Sequence, residues 1–192
     1  MISIREPSTA NLFQPLVEKN IEICLDPTLL LNGDDYRNLI RDSSIEDPFV
    51  FAYMLENNPD VIEQAQYVAK SIGAKVVYIS KQNINLSVPS VNLFGIGPSE
   101  FLDLMSRSAA VITNSFHATV FSILFATPFQ TIATMNSGSR MRELLTSLGE
   151  SGHLIDGVTK DIPEGVDSSR AYKKLELMRN ASLEYLANAL RE

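Results

Sequence analysis

The sequence predicts an α/β domain, a Rossmann-like parallel sheet with helices on both faces. Three observations carry this. First, short runs rich in Val, Ile and Phe alternate with segments of helical period. The rhythm of roughly 25 residues per repeat suits βαβ units, whose crossovers are right-handed. Second, residues 109–113 form an apolar run too short for a helix. Asn114 and Ser115 follow with cap chemistry, and residues 116–125 continue as an apolar stretch of helical length. That pattern is strand, tight turn, helix. Third, Pro59 stands where a first helical turn wants it, and Gly73 where a helix ends. Between them Val61, Ile62, Ala65, Val68, Ala69 and Ile72 share one face.

In chain order, residues 2–4 read as a short strand ending at Arg5. Ser8 or Thr9 caps a helix through Leu12, Leu16 and Val17. Residues 21–25 read as a strand that Asp26-Pro27 stops, and 34–40 as a short helix. Pro48 precedes a central strand at 49–54; a further strand lies at 74–79, and a short one at 91–93. Gly95-Ile-Gly-Pro98 opens a helix from Ser99. After the strand–turn–helix of 109–125, Pro128 breaks the pattern and 129–133 is a strand. The loop from Asn136 leads into a helix at 140–148, ended by Gly149. Residues 152–165 read as loop, and 168–190 as a long amphipathic helix. The strands are expected in one sheet, with parallel ends at a common edge. Residues 1–192 are read as a single Rossmann-like domain, its strand order left open.

The chain's 192 residues suffice for one substantial core. A net charge of -7 argues against a nonspecific grip on nucleic acid or an anionic membrane. A small anion remains compatible, because a few Arg side chains and helix N-termini can hold it. The lone Cys24 permits neither an internal disulfide nor a cysteine zinc site, and reads as core. No apolar run approaches the ~18 residues of a spanning helix, and the first residues lack the apolar core of an export signal. A cytoplasmic location is therefore expected. No His, Asp or Glu cluster has metal-ligand spacing, so no metal or cofactor is expected.

His117 is the first chemical candidate. It falls in the first turn of a helix that follows a strand, where open α/β sheets hold ligands. It can act as general acid or base, or bind an anion; its plain alternative is a core or capping histidine that hydrogen-bonds to a loop. Asn114 and Ser115 can donate to a ligand or simply cap, and Thr119 lies one turn on. No Gly-x-Ser-x-Gly elbow surrounds Ser115, so it is not read as an acyl nucleophile. Arg5 can clamp a carboxylate or phosphate, or form a surface ion pair with Glu6. Asp26 can orient a base, accept a sugar hydroxyl, or organise an Asx-turn. Tyr53, at a strand end, can reach a site or join the core. Asn136, Ser139 and Arg140 start another helix and can receive phosphate. Gly-Ile-Gly-Pro at 95–98 is not the dinucleotide fingerprint.

Four stretches together resemble the polysaccharide pyruvyl transferase family. They are Ile-Ser-Ile-Arg-Glu at 2–6, Asp-Pro-Thr-Leu-Leu-Leu at 26–31, the run 101–122 containing Thr-Asn-Ser-Phe-His-Ala, and Met-Arg-Glu-Leu-Leu-Thr-Ser-Leu-Gly at 141–149. The resemblance implies transfer of an enolpyruvyl unit from phosphoenolpyruvate to a saccharide hydroxyl, in exopolysaccharide or cell-surface glycan synthesis. It implies a fold like one half of a B-type glycosyltransferase, with this chain as the C-terminal half of a two-domain enzyme and an N-terminal domain as its missing partner. As an isolated half it would be inactive. His117 then matches the family's active-site histidine, Arg5 a donor-holding arginine, and Asp26 the aspartate of its Asp-Pro motif. Many members carry Arg-Leu-His-Gly where this chain has Ser-Phe-His-Ala at 115–118. Arg140 or Arg142 would have to replace the lost cation. The saccharide acceptor can be lipid-linked, which would bring the enzyme to the inner face of the membrane. Two alternatives stay open: a nucleotide-sugar glycosyltransferase, and a non-catalytic saccharide- or partner-binding module.

Overall fold

The computed structural model describes residues 1–46, 48–133 and 138–191. The elements run β1 (Ile2–Ile4), α1 (Pro7–Phe13), β2 (Ile21–Ile23), α2 (Gly33–Arg37), β3 (Phe49–Tyr53), α3 (Pro59–Ile72), β4 (Lys75–Tyr78), β5 (Ser90–Asn92), α4 (Pro98–Arg107), β6 (Ala110–Thr113), α5 (Phe116–Phe125), β7 (Phe129–Ile132), α6 (Gly138–Leu148), β8 (Leu154–Ile155) and α7 (Ser168–Ala189).

Among the described residues, six strands form one wholly parallel sheet in the order β5-β4-β3-β6-β7-β8. The chain winds outward from β3 to β5, returns to pair β6 with β3, then winds the other way. This is the doubly wound Rossmann-like arrangement expected from the sequence. Its switch point lies between β3 and β6.

Alternation along the strands builds two cores. Phe49 and Phe51 of β3 join Val111, Phe129 and the buried faces of α4, α5, α6 and α7. Val50 and Ala52 point the other way, onto Val61, Ala65 and Val68 of α3. α3 starts with Pro59 after its cap Asn58, and ends on Gly73 in the left-handed conformation at φ 68. Both match its sequence signals. α5 is apolar nearly all round, and every residue but His117 is buried. A helix of that kind belongs inside, and it presents only its first turn to solvent.

Three expectations need correction. The first two strands do not join the large sheet. β1 and β2 pair in parallel with each other alone, Ile2 opposite Ile21 and Ile4 opposite Ile23. The physical reason lies in the connection to β3. Parallel strands of one sheet are joined by a crossover, usually a helix packed on that sheet. Here the short helix α2 packs instead on α5, with Tyr36 edge-on to Phe121 at 4.9 Å. Second, the stretch 152–165 is not all loop, because Leu154 and Ile155 add β8 beside β7. Third, Cys24 is only half-buried and lines a cavity instead of filling the core; burial raises its thiol pKa.

Candidate active site

Two short elements deliver the polar groups. β1 stops at Ile4, and Arg5 follows at its carboxyl end. β2 runs on to Asp26, where Pro27 opens a tight 3-10 turn, Pro27–Leu29. Asp26 caps that turn. Its Oδ1 accepts from the Thr28 backbone N–H at 3.1 Å and from the Thr28 hydroxyl at 2.6 Å. Its Oδ2 accepts from Arg5 Nη1 at 2.5 Å. Nε2 of His117 lies 3.9 Å from Asp26 Oδ1. That is too long for a hydrogen bond and close enough for an electrostatic interaction.

The carboxylate is nearly sealed, its side chain 3% exposed, whereas the Arg5 and His117 side chains are 45% and 51% exposed. Burial alone would raise the Asp26 pKa. The Thr28 hydroxyl, the Thr28 N–H, Arg5 and the His117 charge together outweigh burial and lower it. An ionised, fully engaged carboxylate thus sits behind two accessible cationic or proton-carrying groups. This geometry suits an anchor for Arg5 and His117. Of the readings held open from sequence, the turn at Asp26 is formed, and His117 lies near it.

His117 follows Ser115, the N-cap of α5, so it stands at the positive end of a buried helix. That end lies at the switch point. Thr113 Oγ1 donates to Tyr53 O at 2.6 Å. Asn114 accepts from Leu55 N at 3.0 Å and donates to Glu56 O at 2.8 Å, tying the ends of β6 and β3 together.

Arg140, in the first turn of α6, closes the other side. Its guanidinium carbon lies 5.1 Å over the Phe116 ring, and its Nε is 3.9 Å from Glu6 Oε1. The same Glu6 oxygen is 4.0 Å from Arg5 Nε. Arg142 is exposed next along the helix. The structure therefore gathers His117, Arg5, Asp26 and Arg140 into one cluster.

The other candidates lie differently. Asn114, Ser115 and Thr119 are buried and engaged within the scaffold. Ser115 Oγ accepts from Ala118 N at 3.4 Å; the Thr119 hydroxyl donates to Ser115 O at 3.0 Å and lies 2.8 Å from that of Thr131. The Tyr53 ring packs with Phe51 and Phe101, and burial raises its pKa. Ser139 is exposed at the start of α6. Asn136 lies outside the described residues. Thr28 and Glu6 were not picked out as site residues. The signal for Thr28 was legible, since Asp-Pro-Thr is an apt sequence for a side-chain-closed turn. The Glu6 bridge to Arg140 needs tertiary structure to be seen.

Polar stitches fasten this small region to the large sheet's helices. Ser8 donates from its hydroxyl and its N–H to Glu143 of α6 at 2.5 and 3.3 Å. Leu25 N–H donates to Ser182 Oγ of α7 at 2.9 Å. Arg179 of α7 donates to Leu29 O at 2.8 Å and Leu31 O at 3.0 Å. Among the described residues no group of three or more His, Cys, Asp or Glu side chains could hold a metal ion, and no helix is long and apolar enough to cross a membrane.

The family model for polysaccharide pyruvyl transferases matches residues 1–135. The chain belongs to that family. The match takes in Arg5, Asp26 and His117 and stops short of Arg140. No curated protein matches the chain. Among solved structures it is similar to AviGT4, a glycosyltransferase involved in avilamycin A biosynthesis, with 13% identity, 95% of this chain and 57% of that one covered, and a TM-score of 0.48. It is also similar to UGT2 of Phytolacca americana. The apo form gives 10% identity, coverage of 94% and 50%, and a TM-score of 0.43. The form with UDP-2fluoro-glucose and pterostilbene gives 12% identity, coverage of 93% and 45%, and a TM-score of 0.43. This pyruvyl transferase family chain thus spans about half the length of the solved structures it matches.

Proposed function

We propose that this chain supplies one wall of a site that transfers the enolpyruvyl unit of phosphoenolpyruvate to a saccharide, as the C-terminal half of a two-domain transferase. The observation that carries the reading is the Arg5–Asp26–His117 cluster at the sheet's switch point, in a chain of this family. The reaction makes a ketal. Two acceptor hydroxyl oxygens bond to the donor's C2, the C2–O bond to phosphate breaks, and the methylene carbon gains a proton to become methyl. The hydroxyls release two protons; one balances the methyl and the other leaves with phosphate.

The cluster holds groups suited to the proton delivery and to the donor's charges. His117, half exposed on the start of α5, delivers the proton to the methylene. Arg5 keeps one guanidinium nitrogen on Asp26 and turns its other donors to the donor's carboxylate or phosphate. Asp26 positions both. Arg140 supplies the second cation that many members place two residues before the histidine, where this chain has Ser115. Asn114, Ser115, Thr119 and Tyr53 shape the wall. The companion domain supplies the acceptor's other contacts, because such chemistry depends on holding both reactants together. We place the reaction on the cytoplasmic side of the membrane, with the saccharide acceptor free or lipid-linked.

The test uses the intact two-domain protein. His117→Ala should reduce transfer by at least the 10²–10⁴-fold usual for a lost general acid, with the circular dichroism spectrum unchanged. Calorimetry should show saturable phosphoenolpyruvate binding that Arg5→Gln weakens. Near-normal transfer by the His117 variant, or binding of a nucleotide sugar in place of phosphoenolpyruvate, would overturn the reading.

A further inference from the structure

We propose that the saccharide acceptor is a chain of several sugar rings, held along the carboxyl rim of the large sheet by Phe94 and Leu55. The inference rests on the transferase reading above, and it names the size of the acceptor and its contacts. The strand register places the groups. Asn92, Tyr78, Ala52 and Ile112 stand in one row across β5, β4, β3 and β6. Phe94, Leu55 and His117 all follow that row, past the carboxyl ends of their strands. Phe94 leads into α4, and His117 stands in the first turn of α5. Those two helices are neighbours on one face, with Phe101 edge-on to Phe121 at 5.9 Å. Three strand spacings separate β5 from β6, about 14 Å. A single pyranose ring does not reach that far, whereas a short oligosaccharide does.

Phe94 and Leu55 are 70% and 64% exposed, yet their loops are held firmly. Gly95 has φ 90, a conformation that glycine adopts freely, so the turn at Phe94-Gly95 carries the ring out to solvent. Asn92 fixes the loop after β4, accepting from Ser80 N at 3.0 Å and donating to Ser80 O at 3.0 Å. Asn114 fixes the loop after β3 through Leu55 N and Glu56 O. A side chain on a fixed loop costs little further ordering when a ligand arrives. In strand order the two apolar groups are separated by β4, which is followed by the polar run Ser80-Lys-Gln82. A protein partner is marked by a contiguous apolar patch. An apolar group, a polar run and a second apolar group match a pyranose chain instead. Each ring has an apolar C–H face, which loses water against an aromatic side chain, and a rim of hydroxyls.

The experiment is calorimetry on the intact two-domain protein. The probes are fragments of the producing cell's own surface polysaccharide, freed of pyruvate by mild acid and sorted into single sugars and tetrasaccharides. Tetrasaccharides should bind roughly tenfold more tightly or better. Phe94→Ala should erase most of that advantage and Phe94→Tyr should keep it; the exposed ring makes both changes safe for folding. Leu55→Ser should give a smaller loss. Equal binding of the two sizes, no binding of tetrasaccharides, or an advantage that survives Phe94→Ala would overturn the inference. A lowered thermal midpoint for Phe94→Ala with unchanged saccharide binding would also overturn it, and would give the rim to the companion domain. Phosphoenolpyruvate is titrated in parallel. Its failure to bind would count against the transferase reading, while the size dependence would still decide the acceptor site.

Discussion

The central strands of the large sheet are buried, β6 and β7 at every residue and β3 at all but its last, whereas β1 and β2 are half-buried or exposed at every residue. The first sheet is covered on both faces by helices and supports itself. The second is a pair of three-residue strands, and such a pair alone is marginal in water. It stands because α6 and α7 reach across with Glu143, Arg179 and Ser182. The candidate site draws His117 from the self-supporting part, and Arg5 and Asp26 from the dependent one. Its geometry therefore depends on these polar contacts and on Leu25 and Leu29 packing against the main core.

The contrast can be broken from the strong side first. Phe51 is wholly buried in β3. Phe51→Ala should cost about 3–5 kcal/mol and lower the urea midpoint of the whole chain in one transition. A loss below about 1 kcal/mol would mean that the ring is not part of a packed core.

At the junction, Gly33 touches α5 so closely that an added Cβ would lie 2.3 Å from the Leu124 carbonyl oxygen. Gly33→Ala should cost about 1–3 kcal/mol by forcing α2 away, read as a drop in thermal midpoint. No drop would show that α2 is free to shift. On the weak side, Arg179→Ala removes two hydrogen bonds, worth together about 1–3 kcal/mol locally. Amides of residues 21–31 should then exchange faster, with those of β3 and β6 unchanged. Uniform acceleration would erase the distinction between the two regions.

A smaller, pH-dependent effect isolates Asp26. Its folded pKa lies below the unfolded value, so the unfolded chain takes up the proton first as pH falls. The stabilisation is complete above the unfolded pKa, near the ordinary 3.8, and is lost as pH drops through the folded value. Urea midpoints between pH 6 and 3 should thus fall less steeply for Asp26→Asn than for the parent. Parallel curves would mean that Asp26 is not held ionised by the fold. The smallest effect lies far from the site. Ala126 ends α5 in the left-handed conformation at φ 56. Ala126→Gly should stabilise by about 0.5–1 kcal/mol in the same melts, and a loss would show that the methyl packs usefully.

The β6–α5 corner was legible because each signal there is local. A short Val/Ile run, a serine cap and an unbroken apolar decade fix strand, turn and helix without reference to anything distant. Asp26 was legible through its proline. The separation of β1 and β2 from the main sheet was not. Ile-Ser-Ile and Ile-Glu-Ile alternate as any strand does, and local period carries no record of which neighbour a strand takes. β8, at two residues, is too short to leave a pattern. The choice of Arg140 over Arg142 depends on which way α6 rolls against Phe116, which emerges only when the helices are packed.

The split origin of the cluster also makes it a gauge of its own occupancy. A molecule gripped by Arg5 on one side and by the start of α5 on the other would act as a clasp across the junction. Each increment of occupancy then adds to the cost of prying the two parts apart, by about 2.7 kcal/mol when the free molecule is at a hundred times its Kd. Slowed amide exchange in residues 21–31 would therefore report a bound ligand before any product is detected.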